Sequence, residues 1–481
     1  MPSSDAASTP ELRTTERRRR RRSNSESVEG SHLHTKRKKE KLDPKILSHR
    51  LGNALLYGTF GLLMFGPLAF GAVEPWSMFV LEAGALTLTL LWLVKQGLDG
   101  EIVIHSSPLF PPMAAFGALI VAQLVFHRSA YAYDTFSAAL LYMAYAMLCF
   151  LAAQTLIRAS QAKTVAMIMA LYGAVVGALA LLQGVAPNGK LYWLRQPHMS
   201  GWIYGSYVNH NHYAGLMELL IPIPLVLALN RQVGDRERIA SAIAAAIMTG
   251  TVFLSGSRGG MLAVFVEFAI LALVLLRQKK NVRLAVGVMA FAMVLVSLLT
   301  WLGGKELTTR VTSISSETRH EISGGMRLSI DRDALHMFRS RPVLGWGLGS
   351  FPVVYPQFRS FYTNFFVNEA HNDYLQLLTE TGLLGFSLMI WFVVVVYRTG
   401  LRKIANWTSS VTGGVTLACL LGVTGILVHS FFDFNLEIPA NAALFYVFCT
   451  LAAARPLLQR ARRRISTPTP ATEQVPASEV V

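Results

Sequence analysis

The chain is built on apolar runs of about 20 residues, the length a helix needs to cross ~30 Å of hydrocarbon. Its charges collect in the gaps between those runs and at the two ends. Inside a bilayer every backbone N–H and C=O must find an internal partner, so such runs fold as helices. A membrane barrel would need alternation with period two, which the sequence lacks. Twelve candidate spans result, at about 51–73, 77–95, 109–126, 136–157, 164–183, 213–229, 239–255, 261–276, 284–303, 382–397, 411–430 and 437–454. The expected fold is an all-α integral membrane protein of about 12 transmembrane helices. Composition agrees: 15% of residues are charged, where a soluble domain carries roughly 25%.

The flanks differ in kind. Residues 1–47 are rich in Ser, Arg and Lys, and residues 456–481 end in a Pro/Thr-rich tail; neither can bury a core. Between them lie a first group of spans, 48–189, and a second region, 190–455, that holds nearly all the polar motifs. The net charge of +16 owes much to Arg17–Arg22 and Lys36–Lys41. Beside a membrane domain these runs read as an arm lying on anionic membrane lipid, with no nucleic-acid partner. The cysteines, Cys149, Cys419 and Cys449, sit inside apolar runs and read as small buried hydrophobes.

Orientation follows from Lys and Arg in the short connections. With a cytoplasmic N-terminus, the inside connections hold Lys95, Arg158, Lys163, Arg231, Arg236, Arg238, Arg277, Lys279, Lys280, Arg283, Arg398, Arg402 and Lys403. The short outside turns hold only Arg128 and Arg258. Both termini are therefore expected inside. Segment 184–212 and the long loop 304–381, between the ninth and tenth spans, are expected outside. A connection as long as 304–381 points to function. Within it, Arg332 to Arg341 reads as an amphipathic surface helix, with Leu335 and Phe338 on one side.

Three constellations can carry chemistry. Arg258, in SGSRGGML, is the cation on the side the positive-inside rule disfavours. It is either an interfacial anchor or an anion clamp, its guanidinium cleared by Gly256, Gly259 and Gly260 and helped by the following helix N-terminus. The second runs MRLSIDRDALHMFRSRPVLGWGLGSF, then EAHNDYLQLLTETGLLGF. It supplies Arg327, Arg332, Arg339 and Arg341, a tight turn at Pro342, Gly345, Gly347 and Gly349, and a helix opening at Asn372-Asp373-Tyr374. His371 stands just before that helix, where the dipole keeps an imidazole neutral and able to accept a proton; a plain hydrogen-bonding role is the alternative. The third is Asn209, His210, Asn211 and His212, at the mouth of the sixth span. No matching carboxylate or cysteine cluster accompanies the two histidines, so capping or hydrogen bonding to sugar hydroxyls fits better than metal. Glu82, Glu218 and Glu267 lie within spans and suggest a second reading, a carrier for bicarbonate or another small solute.

These blocks, together with VNHNHYAGLMELLIP and HSFFDFNLEIPANAALF, resemble the O-antigen ligase and polymerase superfamily over roughly residues 190–450. The His-Asn-x-Tyr-Leu block after a long outer loop is the most specific part. The resemblance implies a bacterial inner-membrane enzyme that transfers a glycan from an undecaprenyl-diphosphate carrier to an acceptor hydroxyl of a lipid, glycan or protein. It implies that the reaction occurs at the periplasmic face, without nucleotide sugar, cofactor or essential metal. Carried over, Arg258 and Arg327 hold the diphosphate and His371 activates the acceptor. Arg332, Asn209, Asn211, Asn372 and Tyr374 are expected to contact substrate. One departure leaves Arg332 in competition with Arg327: the family often has Trp four residues after the arginine, whereas this chain has Asp331 followed by Arg332.

Overall fold

The computed structural model describes residues 44–196, 202–277, 286–288, 290, 324–364 and 366–454. Among them the regular structure is helical and no strand is formed. The first five helices are α1 (Pro44–Leu68), α2 (Pro75–Asp99), α3 (Phe110–Val125), α4 (Ala132–Thr155) and α5 (Ala159–Val185). The next four are α6 (His210–Leu220), α7 (Pro222–Leu229), α8 (Asp235–Ser255) and α9 (Arg258–Arg277). Then come α10 (Gly324–Ser340), α11 (Asp373–Gly400), α12 (Val411–His429) and α13 (Pro439–Ala453).

Among the described residues, nine helical stretches are long and apolar enough to cross a membrane, with α6 and α7 counting as one; α3 and α13 are apolar but shorter. These account for eleven of the twelve expected runs. The ninth, 284–303, lies almost wholly outside the described residues. The first begins earlier than expected, at Pro44 rather than 51. The three cysteines are buried and free.

Lipid gives apolar helices no hydrophobic reason to leave it, so they associate through close packing and small residues. The central position falls to α6–α7, 89% buried, and to α13, buried along its whole length. Helix α12 packs on α9 and α13, and α13 also meets α4 and α11. At Gly422 of α12 an added Cβ would stand 2.8 Å from the Leu219 carbonyl oxygen of α6, so only glycine allows that approach.

The segment from α10 to α11 forms a second, smaller core of Ile330, Ala334, Met337, Phe351, Val354, Tyr355, Val367 and Ala370. Burying the larger of these side chains, such as Ile330, Met337 and Phe351, contributes ~1.5–3 kcal/mol each. Its surface helix starts at Gly324, eight residues before the expected Arg332, and this puts Arg327 on the helix itself. The expected turn follows: Gly345, Gly347 and Gly349 all have positive φ. The turn docks where α11 breaks, at Gly382 (φ 65°, ψ −170°). There the Leu383 N–H donates to the Pro342 carbonyl (2.8 Å), and the Trp346 N–H donates to the Thr379 carbonyl (3.0 Å). Glu380 accepts from the N–H groups of Gly349 (2.8 Å) and Phe351 (3.2 Å). The sequence suggested no broken helix. This break serves to seat the loop turn, whose carbonyls and amides fill the gap in the helix ladder.

Candidate functional site

The polar residues of the second half converge at one end of the bundle, where α6, α9 and α11 begin and α12 ends. Asn372 caps α11, its side-chain oxygen accepting from the N–H groups of Tyr374 and Leu375, both at 3.2 Å. His371 precedes the cap with φ +54°, a left-handed conformation uncommon for a residue with a Cβ and concentrated at functional sites. Its neighbours hold it there. The Ala370 N–H donates to Gln376 Oε1 (2.9 Å), and the Asp373 N–H donates to the Ser430 carbonyl (3.0 Å).

The His371 ring faces Asp433, with Nδ1 3.3 Å from Oδ1, and its edge meets the Phe434 ring at 4.7 Å. With Nδ1–H donating to the carboxylate, Nε2 keeps its lone pair, which is the tautomer a base requires. Asp433 lies in the short connection between α12 and α13 and is 1% exposed. Arg327 reaches it from α10, Nη2 standing 3.5 Å from Oδ2 while Nη1 donates to the Phe432 carbonyl (2.7 Å). His212 of α6 stands 3.9 Å from Oδ1 and also packs edge-on against Phe434. Burial pushes the Asp433 carboxyl up, but the His371 hydrogen bond and the Arg327 charge outweigh it and hold the group well below the usual carboxylate range. Asp433 therefore stays ionised at neutral pH and ties three elements together.

Of the two competing arginines, the structure brings Arg327 to this cluster, while Arg332 is exposed one turn further on. Asp331, beside them, is pushed up by burial, against the pull of Asn372, His371 and Arg327. Arg258 is exposed as the first residue of α9. Ser257 precedes it and its Oγ accepts from the Gly260 N–H (3.2 Å). The turn abuts the end of α12, where a Cβ on Gly259 would stand 2.5 Å from the His429 ring.

The other expected contacts have local tasks. Asn209 caps α6, accepting from the Asn211 N–H at 2.8 Å, and Asn211 is buried. The Tyr374 hydroxyl donates to the Leu427 carbonyl (2.5 Å), and its ring lies against Phe431. No three His, Cys, Asp or Glu side chains among the described residues are grouped to hold a metal ion. Asp433, His212 and His429 were not singled out from the sequence as a joined set. The available signal was an acidic residue in the short HSFFDFNLE connection, whose partners lie far away along the chain.

Fold and site together define a multi-pass membrane protein with a histidine, a buried carboxylate and arginines gathered at one end of its helices. Residues 243–390 match the family model described as O-antigen ligase. That stretch, about a third of the chain, is similar to the O-antigen ligase and polymerase superfamily, and the match supports a role in ligase-like glycan transfer in surface polysaccharide biosynthesis. The matched stretch contains Arg258, Arg327, Arg332, His371, Asn372 and Tyr374; Asn209, Asn211 and Asp433 lie outside it. A search of curated proteins returns no match.

Proposed function

We propose that the protein transfers or polymerises a glycan from an undecaprenyl-diphosphate carrier onto an acceptor hydroxyl at the periplasmic face of the bacterial inner membrane. The observation that carries this reading is the His371–Asp433–Arg327 cluster at the bundle end where the Arg258 turn also lies. Displacement at an anomeric carbon needs a stabilised leaving group and a nucleophile relieved of its proton. His371 Nε2 takes the hydroxyl proton. Asp433 fixes the ring tautomer and offsets the imidazolium charge that forms, as the third member of a nucleophile–base–orienter set does. Arg258 and Arg327 offset the charge of the departing diphosphate. A diphosphate leaves without prior protonation, so no carboxylic acid is required, unlike in a glycoside hydrolase.

The carrier reading is not favoured. The family match points to glycan transfer, and the break in α11 is filled by the chain's own loop turn rather than opening a midplane site. Deleting the gene and analysing the surface polysaccharide tests the proposal. Accumulated carrier-linked long chains indicate a ligase and single-repeat products a polymerase. Unchanged polysaccharide and unchanged protein glycosylation would refute both.

Thirteen Lys and Arg in the inside connections against two in the short outside turns support the orientation. Because the native cysteines are buried, single introduced cysteines can report it. With Tyr362→Cys, at an exposed position, a membrane-impermeant maleimide should label intact spheroplasts; with Arg236→Cys it should label only after lysis. The reverse pattern would put the site in the cytoplasm and remove the proposed donor.

A further inference from the structure

Beneath the Arg258 turn lies a buried pair that the transfer chemistry does not use. His429, the last residue of α12, is 1% exposed, and Glu218 of α6 is fully buried. His429 Nδ1 is 2.7 Å from Glu218 Oε1, while Glu218 Oε2 has no hydrogen-bond partner among the described residues. Stability is a poor reason to keep such a pair, since replacing a buried ion pair by apolar residues is often neutral or stabilising. Ionisable residues inside a membrane bundle point to function instead.

The glycines of the Arg258 turn pack directly on the pair. The His429 ring faces Gly259, where a Cβ would be 2.5 Å from both Cδ2 and Nε2. Glu218 faces Gly260, where a Cβ would stand 3.1 Å from Oε1. The two glycines that follow Arg258 are thus moulded onto the pair. From its backbone, His429 anchors the other half of the site. Its carbonyl accepts from the N–H groups of Phe432 (2.8 Å) and Asp433 (3.2 Å), the turn that holds Arg327 and His371.

We propose that His429, braced by Glu218, is a positioning residue: it fixes the Arg258 turn relative to the Arg327–Asp433–His371 cluster so that both arginines meet one diphosphate. Glu218 locks the ring orientation, the ring sets the height of α9, and Arg258 follows. This rests on the transfer reading above.

The test is a double-mutant cycle on equilibrium binding of undecaprenyl diphosphate to protein in nanodiscs, with undecaprenol as the uncharged control. Arg258→Ala should weaken binding by about 10- to 30-fold, the size of a lost charge-assisted contact. His429→Asn should weaken it by about 5- to 10-fold alone and less than about twofold in the Arg258→Ala background, because a residue acting through Arg258 loses its effect when Arg258 is gone. Glu218→Gln keeps the shape of the pair and serves if His429→Asn elutes as aggregate. It should show a smaller loss, again only when Arg258 is present. Equal losses in both backgrounds, or no loss in either, would overturn the positioning role while leaving the transfer reading intact. Wild-type protein that binds the diphosphate no better than undecaprenol would overturn the transfer reading itself, and this inference with it.

Discussion

Replacing His371 with alanine should lower glycan transfer by about 10²–10⁴-fold, the usual contribution of a positioned base. The measurement is turnover of an undecaprenyl-diphosphate-linked glycan by purified protein in nanodiscs with acceptor present. Insertion and folding should survive, because the side chain is half-buried at a helix start and supports no apolar span. The positive φ at this position offers a control. His371→Gly relieves the backbone of a conformation that costs a residue with a Cβ about 1–2 kcal/mol, so it should be as stable as His371→Ala or more so, and equally inactive. Asp433→Asn keeps the shape but weakens the hold on Nδ1–H, and it leaves Arg327 and His371 without their shared anion. It should cost about 10²-fold or more. Wild-type-like turnover by well-folded His371→Ala would move the base elsewhere. Glu369 and Asp373 are the nearest carboxylates in sequence, the first bound to Gln376 and the second accepting from the Leu436 N–H.

Arg258→Lys should lower transfer by roughly 30- to 1000-fold, equivalent to about 2–4 kcal/mol of transition-state stabilisation. Lysine keeps the charge but loses the planar fork that grips two phosphate oxygens together. Because Arg258 is exposed, neither this change nor Arg258→Ala should disturb packing, and both proteins should purify like wild type. Arg258→Ala should be the worse of the two. If both retain near-normal turnover, Arg258 is an interfacial anchor, and the diphosphate is held by Arg327 and the helix start alone.

How far the site was legible depends on how local each feature is. A helix start is a local matter, and the Asn372 cap after His371 could be read from five consecutive residues. The glycine turn at 345–349 was equally plain, since positive φ leaves few alternatives to glycine. Arg327 against Arg332 was not decidable, because both fall on a surface helix and differ by little more than a turn. Only the packing of α10 against α11 turns Arg327 toward Asp433 and leaves Arg332 outside. The break at Gly382 was also hidden, since the apolar pattern runs through it and the compensating carbonyls come from Pro342 and Val343.

What the sequence by itself determined is the class of the molecule: helices of membrane length and a short set of polar blocks between them. The helices follow from the bilayer, which supplies no partner for a backbone N–H or C=O and so favours local helical pairing along each apolar run. What only the tertiary structure decided is which polar groups share a charge. Asp433 meets Arg327, which lies 106 positions earlier, His212, 221 earlier, and His371, 62 earlier. No period or spacing encodes such distances. They are set by the order in which helices pack, and in a bundle lacking hydrophobic drive between its helices that order rests on close contacts such as Gly422 on Leu219 and Gly259 on His429.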